Sequence, residues 1–309
     1  MSRASNMLKP TAAWTWLGWV AFFFASIFVI HGMALLLHEV GGHAVAMKLV
    51  GCGVEGFSLT YFGSGFVRPT PCPPPWLVRN TAIISLAGIL VTLSAGAVAT
   101  AFQRRAGLAP LARLLLALLA THLLLGDLWY ATAGGYHEVK DPQLTAVLLE
   151  MRGLHVLAWL PPLVLYAAAA LYGARAIVAA FRDHFGSRSR LHALKHILAT
   201  LGVAELLFFA VSLIEAALRT DGAPSITVAL EERAAANKNT PWLQVHRFPL
   251  RYVLLAIAVA AFVHALARPV VRGDRGQEAA PPPVPPRYAT GVAVATLICA
   301  ATITLLVRV

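Results

Sequence analysis

The stretch LLLHEVGGHAVAM, Leu35 to Met47, places two histidines and a glutamate at the end of an apolar run. Imidazoles and a carboxylate are the groups that hold a divalent metal and move the protons of its bound water. The spacing is the obstacle. On a straight α-helix, residues five apart point about 140° away from each other, so His38 and His43 would not share one ion. A single π-type turn, with its i→i+5 bond, absorbs one extra residue and restores a common face. Gly41 and Gly42 occupy the insertion and tolerate a distorted turn best. With that turn, two neutral imidazoles would hold Zn²⁺ at about 2.0–2.1 Å, leaving a position for a water of pKa about 7. Glu39 would act as general base on that water and return the proton to a leaving amine.

A third protein ligand is needed, and buried candidates are few. Asp127, in ATHLLLGDLWYATAGG, lies toward the C-terminal end of the third apolar run, after Gly126, which is expected to leave room for close approach. The first and third runs point the same way, so Asp127 and the histidines fall at similar depth. His122 is an alternative ligand from the same helix, or a partner that orients a carboxylate. Glu205 and Glu215, in the fifth run, are the other intramembrane acids. The lone histidines His31, His155 and His264 are read as ordinary hydrogen-bonded side chains. Ionisable groups in a membrane span cost about 2.5 kcal/mol or more each, and such a cost marks function.

The elements that must position these groups are membrane helices. The chain has 309 residues, 58% of them apolar and only 13% charged, with a mean hydropathy of +0.70, well outside soluble composition. Runs long enough to cross a bilayer, about 20 residues, fall at roughly 14–37, 80–102, 109–131, 154–180, 194–218, 250–268 and 289–307. The expected fold is an all-α polytopic membrane protein of about seven helices. It divides into a metal-binding membrane core (1–140), further helices (141–271), a Pro-rich linker (272–288) and a terminal helix (289–309). The first run is too long for a cleaved signal peptide and reads as a retained helix.

The net charge of +11 is spread over short inter-helix loops, as beside anionic lipid, and no basic stripe interleaved with aromatics points to nucleic acid. The densest cluster, Arg182 to His196, reads as a headgroup contact or an orientation signal. Cys52, Cys72 and Cys299 are not expected to form a disulfide framework, although a Cys52–Cys72 bridge across the first loop is sterically open. That loop, Gly51 to Arg79, alternates in a β-like pattern with glycine breaks. Its segment around Ser58 is expected either to offer an edge strand to an unwound substrate or to form an ordinary membrane-surface hairpin.

The segment HEVGGHAVAMKLVGCGVEGFSLTYFG, His38 to Gly63, resembles the opening of the site-2 protease family of intramembrane zinc metalloproteases. Gly53, Val54, Phe57, Ser58, Phe62 and Gly63 match that family's G-V-x-x-F-S segment and F-G pair. The resemblance implies a three-helix catalytic core that cuts transmembrane protein substrates within or near the bilayer. It makes His38, His43 and Asp127 the zinc ligands and Glu39 the general base. The chain departs from the family pattern in two places. Its motif has the extra residue, a form similar to the H-E-x-x-G-H motif of the unrelated dipeptidyl peptidase III family, and Asp127 is followed by Leu128 and Trp129 rather than glycine. No segment reads as a PDZ-like domain.

Two other classes stand beside this reading. The pairs His38–His43 and His192–His196 resemble the spaced histidines of membrane di-iron oxygenases and desaturases, though no adjacent His-His pair occurs. A non-catalytic relative that binds a partner helix or lipid would keep the fold with an altered motif. The expected location is the bacterial inner membrane. Orientation stays open: an N-terminus inside puts about 14 of the 25 Lys and Arg residues inside and about 11 outside, whereas the family resemblance argues for the reverse.

Overall fold

A computed structural model describes residues 12–63, 65–70, 72, 78–137, 141–186, 190–218, 250–267 and 282–307. The protein is an all-α polytopic membrane protein. Helix α1 (Ala12–Leu36) continues through a π-helical turn (Leu37–Ala44) into α2 (Val45–Leu49), and a hairpin of β1 (Val54–Leu59) and β2 (Gly65–Pro69) follows. Next come α3 (Val78–Gln103), α4 (Pro110–His137), the short α5 (Gln143–Glu150) and α6 (Val156–Phe185). Helix α7 (Arg190–Ile197) passes through a second π turn into α8 (Val203–Leu218); α9 (Leu250–Ala267) and α10 (Pro286–Val307) complete the described elements.

Among the described residues, six helical segments are long and apolar enough to cross a membrane: Thr15–Leu49, Asn80–Gln103, Pro110–Tyr136, Val156–Phe185, Leu191–Leu218 and Pro286–Val307. The expected span at 250–268 is shorter, with an apolar stretch of Tyr252–Ala267, and it packs along α6. Side chains such as Leu90, Leu206 and Leu297 are 61%, 70% and 71% exposed. In water such surface would be a liability, and in a bilayer it is the lipid contact. Only residues 282–288 of the expected Pro-rich linker are among those described, and α10 already begins at Pro286.

The core lies around α1. Trp19 and Phe23 are stacked and fully buried, Phe23 stacks on Phe181, and Phe181 on Phe185, so aromatic faces join α1 to α6. The Trp19 indole N–H donates to the Pro282 carbonyl at 2.8 Å, satisfying the one polar atom of that ring. Small residues set the other approaches: a Cβ on Gly173 would come within 2.5 Å of the Thr121 hydroxyl, so α6 and α4 meet at that glycine.

The expected β-like loop is a two-stranded antiparallel hairpin, with Phe57 opposite Val67 and Ser58 opposite Phe66. Cys52 and Cys72 at its base are disulfide-bonded, with Cα atoms 4.5 Å apart, the one bridge that the sequence left open across this loop. Closure of the hairpin brings the two ends together, and the Thr70 N–H donates to the Gly53 carbonyl at 3.1 Å. Cys299 is free and buried. At the other end of the hairpin, the Glu215 carboxylate of α8 accepts from the backbone N–H groups of Tyr61 (2.8 Å) and Phe62 (2.7 Å). The Tyr61 hydroxyl meets Thr304 of α10 at 2.6 Å, and His31 of α1 bonds the Gly63 carbonyl at 2.6 Å. The intramembrane acid of the fifth span is thus a cap for the hairpin turn and is not near the histidine motif.

Because bonds to an ionised acceptor contribute more than neutral ones, Glu215→Ala should lower stability by about 2–4 kcal/mol. Glu215→Gln, which keeps one acceptor oxygen, should lose less. Thermal unfolding in detergent, read by tryptophan fluorescence, checks the order; equal stability of wild type and Glu215→Ala would refute the cap.

Candidate metal centre

The extra residue of H-E-V-G-G-H is absorbed as the spacing requires. Leu37–Ala44 is π-helical, and the Val45 N–H reaches back five residues to the Val40 carbonyl. The His38 and His43 rings consequently lie on one side, with centroids 4.8 Å apart. Ligand atoms of His38, Glu39 and His43 all fall within 4.8 Å of one another. Glu39 and His43 are 6% and 7% exposed.

Helix α3 is the wall against which this turn is pressed. A Cβ on Gly42 would collide with the backbone of Gly88, and a Cβ on Gly88 would lie 2.6 Å from His38 Nε2 and 2.8 Å from His43 Nε2. The two glycines let the backbones touch, and the imidazoles fill the space a side chain on α3 would take. Gly126, by contrast, has open space around its Cα and makes no such approach. The close-packed glycine of the site is Gly88.

Both histidines are oriented by acceptors on their Nδ1 atoms. His43 Nδ1 donates to the Ile84 carbonyl at 2.7 Å. His38 Nδ1 faces Asp127 Oδ1 at 3.3 Å and the Thr92 hydroxyl at 3.5 Å; Thr92 in turn donates to the Gly88 carbonyl at 2.6 Å. A ring whose Nδ1 carries the proton presents a lone pair at Nε2. Those two Nε2 atoms converge on one carboxylate oxygen, Oδ2 of Asp141, at 3.3 Å from His38 and 3.2 Å from His43. The Tyr130 hydroxyl donates to the same oxygen at 3.0 Å. Three acceptors facing one another need a cation between them, either a proton on each ring or one metal ion. The separations suit a metal: two ligand atoms on a tetrahedral ion with bonds of about 2.0–2.1 Å are about 3.3 Å apart. With a proton on each ring, the two imidazoles outweigh the burial that works against ionisation of Asp141 and hold its carboxyl below the usual carboxylate range.

The predicted site residues therefore divide. His38, Glu39, His43 and Asp127 come together, with Asp127 on the far side of the His38 ring from the point where the Nε2 atoms converge, its Oδ2 buried without a hydrogen-bond partner. His122 packs edge-on against His31, with centroids 5.7 Å apart, and Ser58 is paired within the hairpin. Asp141, Tyr130, Thr92 and Gly88 went unread in the sequence. Asp141 lies past the end of α4, directly before Pro142, and its one visible cue is an acid at the margin of a span that already carries Asp127. The other isolated histidines are satisfied locally, His155 by the Gly135 carbonyl and His264 by Arg175. His192 and His196 pack on each other, and His196 also packs on Trp16. Trp16 precedes His38 by 22 residues, about 33 Å along a helix, so the two histidine pairs do not form one dinuclear centre.

Comparison with protein-family models, with curated proteins and with solved structures returns no match to this chain.

Gly88→Ala should displace both rings and lower stability by about 1–3 kcal/mol, the cost of overpacking a tight contact. Gly126→Ala, which meets nothing, should be neutral or mildly stabilising, as alanine favours helix. Thermal melts of the two variants side by side test the assignment, and a Gly88→Ala protein as stable as Gly126→Ala would remove it.

Proposed function

We propose that the protein is a membrane-embedded zinc metallopeptidase that hydrolyses peptide bonds of transmembrane protein substrates within or near the bilayer. One observation carries the reading: His38 Nε2 and His43 Nε2 lie 3.3 and 3.2 Å from one oxygen of Asp141, with the buried Glu39 in the same cluster. In this reading His38, His43 and Asp141 hold the ion. Asp127 takes a positioning role, accepting from His38 Nδ1 as carboxylates behind metal-bound histidines do. This differs from the sequence expectation, which made Asp127 itself the third ligand. Zinc held there would supply a Lewis acid that acidifies a water and polarises a substrate carbonyl.

The remaining chemistry belongs to the chain. Glu39 accepts a proton from the attacking water and delivers it to the departing amine. Tyr130 and Thr92 keep the Asp141 carboxylate and the His38 ring from rotating away. The resemblance of His38–Gly63 to the site-2 protease family supports the same reaction class and suggests a helical substrate whose scissile segment unwinds beside the β hairpin.

The disulfide supports an orientation. Structural disulfides persist on the oxidising side of a membrane, which favours an extracytoplasmic hairpin and metal site with the start of α1 in the cytoplasm. That choice agrees with the small excess of Lys and Arg inside. A Glu55→Cys reporter on the exposed strand should react with a membrane-impermeant maleimide added to intact cells; protection until the membrane is permeabilised would reverse the orientation.

Elemental analysis of detergent-purified protein, prepared without chelator, should give about one zinc per chain. His43→Ala and Asp141→Ala should lose it, and Asp127→Asn should bind it about 10–100-fold more weakly. Glu39→Gln should keep the metal and lose about 10²-fold or more of peptide cleavage. Wild-type protein that contains no zinc and takes none up would refute the reading.

A further inference from the structure

The other end of the helix bundle holds a second site, built from different residues. Helix α3 ends there at Gln103, 15 residues beyond Gly88 and so about 22 Å away along the helix, and α4 begins there. Five arginines, Arg104, Arg105, Arg113, Arg175 and Arg182, line one cavity of about 550 Å³ between α3, α4, α6 and α9, and among the described residues no acidic side chain lines it.

Uncharged groups accept from three of these arginines. Arg175 Nη2 donates to the His264 ring at 2.9 Å, and its Nε is buried without an acceptor. Arg182 Nη2 donates to the Leu266 carbonyl at 3.2 Å. Arg104 lies over the Tyr172 ring, 4.9 Å from the centroid, and its Nε points to the phenol oxygen at 3.4 Å; that hydroxyl donates to Gln103 at 2.5 Å. Arg113 has a carboxylate, that of Asp183, at 3.3 Å. Guanidinium groups that line one cavity repel one another, and an anion held among them relieves that repulsion. A phosphate, with its several acceptor oxygens, fits paired N–H donors better than a halide or a single carboxylate does.

The surroundings point to where that phosphate comes from. Phe102 of α3, Leu171 of α6 and Val263 of α9 are 43%, 37% and 58% exposed, so the helices that frame the cavity present apolar side chains to the acyl region. The cavity also lies at the end of the bundle opposite the disulfide-closed hairpin, the cytoplasmic side in the orientation above, where basic pockets between spans meet anionic headgroups.

We propose that this arginine cavity binds the phosphate group of an anionic membrane lipid, independently of the metal site. Native mass spectrometry of the full chain in detergent, with added phosphatidylglycerol, cardiolipin or phosphatidylcholine, tests it. One anionic lipid should stay bound per chain, with phosphatidylcholine retained at least tenfold less. The double variant Arg175→Gln/Arg182→Gln should lower anionic-lipid retention tenfold or more, as should Arg104→Gln/Arg105→Gln, whose side chains are exposed and whose loss does not threaten folding. Arg152→Gln, outside the cavity, should leave retention unchanged. Displacement of the lipid by millimolar inorganic phosphate would identify a soluble phosphate as the ligand while keeping the phosphate site. Equal retention of phosphatidylcholine, or undiminished binding by both double variants, would overturn the proposal.

Discussion

The contact between Gly42 and Gly88 is the constraint on which the site depends. A helix that must bring two histidines five residues apart onto one face has to widen into a π turn, whose i→i+5 bonding is rare and found mostly as single turns inside α-helices. It persists because the neighbouring helix has no side chain at the point of closest approach. The wall is backbone, and backbone supplies the acceptors as well: the Ile84 carbonyl takes the His43 Nδ1 proton, and the Gly88 carbonyl anchors Thr92 beside His38. One stretch of α3 therefore shapes the turn and offers a hydrogen-bond partner to each of the two rings.

Legibility in the sequence follows the range of the interaction. The π turn could be read from H-E-V-G-G-H because its cause is local: the angular mismatch and the two glycines lie in one segment. The convergence of Asp127 on His38 could be read because few residues of the chain put a carboxyl inside a span at the matching depth. Asp141 could not, since it sits in a connection whose placement is decided by where α4 ends and α5 begins, and no periodic pattern records that. Gly88 is one of several glycines in an apolar helix, and only a neighbour's position distinguishes it. The Cys52–Cys72 bond was undecided for the same reason, as spacing alone does not show that a hairpin folds its base together. Local hydropathy marked the 250–268 run, which is the 18-residue helix Leu250–Ala267.

The second half of the chain supports the first. Helices α8 and α10 flank α1 and reach the hairpin through Glu215 and Thr304, while α6 fixes α1 and α4 through aromatic stacking and a glycine contact. An acid within a span is costly, and Glu215, in the last turn of α8, offsets that cost with two backbone donors that the hairpin turn would otherwise leave unpaired. The hairpin beside the His38–His43 cluster is thus held by α1, α8 and α10 together.

Asp141 stands 103 residues after His38, and that separation sets an order of events during biosynthesis. At about 5–20 residues per second, the ribosome needs roughly 5–20 s to add those residues. Over that interval the first span is in the membrane with its histidines, but the carboxylate that faces them has not been made. Early-inserted chains therefore hold the two rings without the carboxylate that joins them. The cluster is completed only when α4 has been inserted and Asp141 has met the Tyr130 hydroxyl.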